Sequence, residues 1–195
     1  MKFGTSSFTY IDNVAEAKYG TPAWNERKYS YWSKLDGDGN ITWGPDALLT
    51  PTGETQAADA RTAWKTEVAH GVPLPTVFLS SLLRRALDTW KITFAESPEG
   101  EKPVLDYEYT NVRSTLVHLY PHPTYTFEAP FPEHDPLWEA DVRETNEHVV
   151  ERALTILDKA FQRSDTYISI TAHSGFINGF LTAVGHLTFL CLLGG

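Results

Sequence analysis

His173, Ser174 and Gly175 stand in a row where one sequence pattern gives way to another. The run before them, Tyr167-Ile168-Ser169-Ile170-Thr171-Ala172, is β-branched and alternating, which predicts a buried strand. From Phe176 to Gly185 apolar residues recur at helical spacing instead. The histidine, serine and glycine therefore fall at a strand end facing a helix N-terminus. Backbone N–H groups and the helix dipole favour an anion at such a place, so the chemistry indicated is that of a phosphate site.

A second stretch has the same layout. Val77-Phe78-Leu79-Ser80-Ser81 is a short apolar strand, and Leu82-Leu83-Arg84-Arg85-Ala86-Leu87 begins a helix with two arginines in its first turn. Cations there oppose the helix dipole, which costs stability unless an anion sits between them. Arginine presents a planar fork that matches phosphate oxygens, so the pair asks for a ligand. Two solvated arginines on a helix face are the plainer alternative.

Taken with Asn13-Val14-Ala15-Glu16-Ala17-Lys18-Tyr19-Gly20, Leu49-Thr50-Pro51-Thr52-Gly53-Glu54-Thr55-Gln56 and Arg143-Glu144-Thr145, these segments give the chain its family likeness. It resembles the histidine phosphatase superfamily, in the phosphoglycerate mutase-like branch and in particular its fungal members, from about Asn13 to the C-terminus. The resemblance implies phosphoryl transfer through a phosphohistidine, with no metal and no organic cofactor, on a small phosphorylated or anionic metabolite. Matched residue by residue, it implies that Arg85 binds phosphate and that His173 is the second catalytic histidine. Ser174 and Gly175 then lie beside the phosphate.

Two parts of the family pattern are altered. Ser6-Ser7-Phe8 stands where the family has Arg-His-Gly, so Ser7 replaces the nucleophile, Ser6 its arginine and Phe8 a glycine that lets backbone approach phosphate. A serine needs a base to become a nucleophile, and none is adjacent. In Asn111-Val112-Arg113-Ser114-Thr115-Leu116, Ser114 takes the place of the general-acid glutamate. Glu108 lies nearby in sequence as a weak substitute.

The elements that must carry these residues alternate, which points to a three-layer α/β/α sandwich. Thr50 followed by Pro51 is a helix start, cap then proline, for a helix reaching about Val68. Another helix is expected from Arg143 to Phe161, where Val149, Ala153, Leu157 and Ala160 recur, with Asp141 as its cap. Met1 to Asp12, MKFGTSSFTYID, is too poor in aliphatic residues for a central strand. At the other end the chain stops at Gly194-Gly195, where the family continues into a further strand. The first and last strands are thus expected to be altered or missing. The chain divides into an altered segment, 1–12, and a phosphoglycerate mutase-like domain, 13–195.

At 195 residues and 42% hydrophobic, the chain suits one domain with a core. A net charge of −9 argues against nucleic acid as partner. Cys191 is the single cysteine, which excludes an internal disulfide and suits a packed small hydrophobe. No secretory signal opens the chain. Phe176 to Leu193 is apolar, but Asn178, Thr182, Gly185 and His186 interrupt it, so a buried helix and strand are expected rather than a membrane span. Cytoplasmic placement is the default. Oligomeric state is not legible.

Two irregular regions complete the reading. Lys34-Leu35-Asp36-Gly37-Asp38-Gly39-Asn40 superficially looks like a calcium loop but lacks its twelfth-position glutamate and ligand series, leaving a solvated hairpin or loop. Pro121 to Asp141, with His122, Phe127, Phe131, His134 and Trp138, is either a pocket-capping insertion, as the resemblance implies, or a plain loop. No metal site is expected, because His118, His122 and His134 lack the spacing of ligands on one helix. His70, His148 and His186 belong to predicted helices or their ends and suit structural or exposed roles.

The resemblance thus implies an ancestral phosphomonoester hydrolase or phosphotransferase. Ser7 and Ser114 open an alternative: a non-catalytic protein that binds an anion or a partner, or one recruited to non-phosphoryl chemistry such as a cyclisation or isomerisation. An incomplete gene product is the third reading.

Overall fold

The computed structural model describes residues 11–24, 37–43, 46–94, 104–106, 126–127 and 144–185. Strand β1, Val77–Ser81, is buried at all five positions, as a strand covered on both faces must be. It pairs in parallel with β2, Val104–Asp106, on one side and with β4, Ile168–Thr171, on the other. A short β3, Thr126–Phe127, adds to β2, so the order is β3-β2-β1-β4.

Alternation along β1 sends neighbouring side chains to opposite layers. Phe78 faces α4, Arg84–Phe94, with ring centroids 5.9 Å from Trp90 and 4.9 Å from Phe94. Phe94 in turn meets Trp64 of α3, Pro51–Ala69, at 5.6 Å. Val77 and Leu79 face the other way. They join Val149, Ala153 and Ile156 of α5, Asn146–Gln162, and Phe176 of α6, Ser174–Ala183, with Ile168 and Ile170 of β4 against the same cluster. Helices therefore cover both faces of a parallel sheet, the expected three-layer α/β/α arrangement. Gly179 lets α5 and α6 approach closely, since a Cβ there would lie 2.6 Å from Val149 Cγ1.

The helix at Thr50 begins as its sequence predicts. Thr50 is extended, its hydroxyl accepts the Gly53 N–H at 3.1 Å, and Pro51 opens the first turn. The long helix is different from expectation. It starts at Asn146, and its cap is Thr145, whose hydroxyl accepts the His148 N–H at 3.3 Å. Glu144 stays outside the helix because its carboxylate is held by Arg152 and His148. Asp141, the expected cap, lies outside the described residues.

Two further expectations are corrected. Ile168–Thr171 is half-buried at every position rather than buried, because among the described residues β4 has a sheet neighbour on one side only. Thr126–Phe127, within the segment read as irregular, pairs with β2 as β3. The loop at Gly37–Asn40 exposes Gly39 and Asn40, as a solvated loop does, but its Asp38 is tied to the rest of the fold. Asp38 accepts the backbone N–H groups of Asn40 and Ile41, each at 2.8 Å, and the side chains of Lys18 and Tyr19. Those donors, Lys18 first, hold its carboxyl well below the usual carboxylate range. Lys18 and Tyr19 end α1, Ile11–Tyr19, which packs with α2, Thr21–Trp24, in a satellite cluster of Ala15, Trp24 and Trp43. Helix α1 begins inside the segment 1–12, at Ile11. No helix among the described residues is long and apolar enough to cross a membrane.

Candidate functional site

Parallel pairing brings the ends of β1 and β4 together, Ser80 opposite Thr171, and each strand leads into a helix. Both exits lie at the carboxyl ends of the parallel strands, where α/β sheets build their sites. His173 is the N-cap residue of α6, in an extended conformation (φ −105°, ψ 154°), yet its side chain makes no capping bond. The ring turns toward β1 instead. Its Nε2 lies 2.7 Å from the Ser81 hydroxyl oxygen, with both residues buried. Ser81 Oγ also accepts the Leu83 N–H at 3.2 Å, which ties the turn into α4 to the same contact.

Two guanidinium groups lie close enough to this imidazole to act on its charge. Arg85 projects from the first turn of α4 and is 8% exposed, whereas Arg84 beside it is exposed and pairs loosely with Asp88 at 3.5 Å. Arg152 comes from the buried face of α5. Its Nε and Nη2 donate to Glu144 Oε1 and Oε2 at 2.5 and 2.6 Å, and its guanidinium carbon sits 5.6 Å over the Phe176 ring. Burial first, then Arg85, then Arg152, push the His173 imidazole well below its ordinary value, so it is neutral near pH 7.

The two-arginine helix start receives its anion from within the chain. Asp46 accepts the Arg84 N–H on both carboxylate oxygens, at 3.1 and 3.0 Å, and lies 3.9 Å from Arg85 Nη1. From the sequence the arginine pair asks for an anionic ligand; in the fold the Asp46 carboxylate supplies negative charge at this helix start. No local signal could have named it, because it lies 38 residues before Arg84.

Arg85 and His173 therefore share one site, and Ser174 and Gly175 form the first turn of α6 beside them. Ser6, Ser7, Ser114 and Glu108 lie outside the described residues, as do His118, His122, His134, His186 and Cys191. His70 ends α3 and is exposed; His148 pairs with Glu144 at 2.7 Å. The sequence reading gave no role to Ser81, Asp46 or Arg152. Arg152 did carry a signal, since it falls in the apolar stripe with Val149, Ala153 and Ile156.

A profile of the histidine phosphatase superfamily (branch 1) matches residues 30–189. The chain belongs to that superfamily. Within it the chain is phosphoglycerate mutase-like. A protein described as "Probable phosphoglycerate mutase" from Arthroderma benhamiae is 41% identical over 192 residues, covering 91% of this chain and 56% of its own length. "Phosphomutase-like protein 3" from Candida albicans is 32% identical over 194 residues, covering 94% and 59%. This chain thus spans less than two thirds of either relative. Among solved structures, "Mycobacterial hydrolase 1" superposes with a TM-score of 0.48 at 19% identity, over 72% of this chain and 70% of that one.

Proposed function

We propose that Arg85, Arg152, His173 and the N-terminus of α6 bind the phosphoryl group of a small phosphorylated metabolite, in the service of phosphomonoester hydrolysis or phosphoryl transfer. One observation carries this reading: a buried imidazole flanked by two guanidinium groups at the start of a helix. Two cations acting on a neutral ring favour an anion beside it. The Arg85 guanidinium, the field of Arg152, a neutral N–H donor and the first-turn amides of α6 together suit the spread charge of a phosphoryl group. The names of the fungal relatives point to the same class of substrate.

In this arrangement Arg85 orients the phosphate oxygens, and Arg152 supplies field while Glu144 fixes its direction. His173 donates a hydrogen bond that strengthens as charge gathers on the oxygens. No nucleophile is assigned among the described residues.

Ser7 and Ser114, at the family's nucleophile and acid positions, favour a second reading of anion binding without turnover. Hydrolysis of an aryl phosphate by the folded chain, run beside His173→Ala, separates the two. Turnover that disappears in the variant supports phosphoryl chemistry. Phosphate binding without turnover supports the second reading, and turnover unchanged in the variant contradicts the site.

A further inference from the structure

We infer that Ser81 is a positioning residue: its hydroxyl proton goes to Nε2 of His173, fixing the imidazole as the Nδ1–H tautomer and reserving that N–H for the bound anion. Donors and acceptors at this contact balance in one way only. Ser81 Oγ already accepts the Leu83 N–H at 3.2 Å, and the second contact of that oxygen is Nε2 at 2.7 Å. A hydroxyl carries one proton. If Nε2 held a proton of its own, two N–H groups would converge on Ser81 Oγ, and the hydroxyl proton would be buried with no acceptor among the described residues. Donation from Ser81 to a bare Nε2 satisfies all three groups.

Both partners are held in place by the fold. Ser81 closes a strand paired on two sides and has no exposed surface, while His173 is set by its position as N-cap of α6. The charged groups that face the ring, Arg85 from α4 and Arg152 from α5, both oppose a second proton on it. With Nε2 occupied, Nδ1–H is the donor left for a ligand. The identity of that ligand as phosphate rests on the proposed function; the tautomer does not.

The test is the long-range nitrogen–proton spectrum of the full chain, 15N-labelled in histidine, near pH 7.5, with His173 assigned by the signals lost in His173→Gln. The expected result is the Nδ1–H pattern. An Nε2–H pattern or an imidazolium overturns the inference, and this reading is made on the unmutated chain. In Ser81→Ala the ring is expected to populate both tautomers, and Ser81→Thr, which keeps a hydroxyl, is expected to restore one. Inorganic phosphate affinity should follow, falling about two- to fivefold in Ser81→Ala as the competent tautomer loses population. An Nδ1–H tautomer in a chain that binds no phosphate would leave Ser81 in its role and remove the phosphate reading.

Discussion

Asp46 and Arg85 face one another across 3.9 Å at the start of α4, each side chain less than a tenth exposed. The same carboxylate receives the Arg84 N–H on both oxygens. One side chain from the segment before α3 therefore caps α4 and stands against the arginine that faces His173. The helix start tolerates two adjacent arginines because this carboxylate opposes their charge and that of the dipole.

Asp46→Ala is expected to lower folding stability by about 1–2 kcal/mol through loss of the cap and its charge. Asp46→Asn, which keeps an acceptor, should lose less. Urea unfolding measures both, and an unchanged midpoint in Asp46→Ala would contradict the capping role.

Stability should fall as pH drops below about 6.5, where an unfolded histidine gains its proton. In the folded chain burial, Arg85 and Arg152 hold His173 well below that value. Between the two values the unfolded chain binds more protons, so stability rises with pH there. The contribution is whole above about pH 6.5 and is lost on acidification, with a limiting slope of about 1.4 kcal/mol per pH unit for one proton. Urea titrations of the wild type and His173→Gln across this range should show the shallower slope in the variant. His70 and His148 are common to both chains, so parallel slopes would count against a neutral, buried His173.

Gly179→Ala is expected to destabilise by about 1–3 kcal/mol, because its Cβ would meet Val149 Cγ1 at 2.6 Å between α5 and α6. Val149→Ala alone should also cost stability. Combined, the two should lose less than the sum of the single changes, and strict additivity in a double-mutant cycle would mean that the helices do not meet at this pair.

Local signals made much of this fold legible from sequence. Thr50-Pro51 announces a helix by a cap and a ring that acts within one turn, and α3 starts there. The apolar run Val77–Ser81 could only be a covered strand. Arg85 and His173 were legible because each sits at a pattern change, strand to helix. What the sequence did not show depends on distance. Asp46 reaches Arg84 across 38 residues, and Ser81 reaches His173 across 92. The start of α5 differs from expectation for a similar reason: Glu144 is drawn to Arg152, eight residues on, and Thr145 becomes the cap.

The most direct test of the proposed phosphate site is a calorimetric titration of inorganic phosphate into the wild-type chain and into Arg85→Ala, each first shown to be folded. Measurable binding is expected in the wild type and at least about a tenfold loss in the variant, because a buried charged partner of the anion is removed. Equal phosphate affinity in the two proteins would contradict the proposed site.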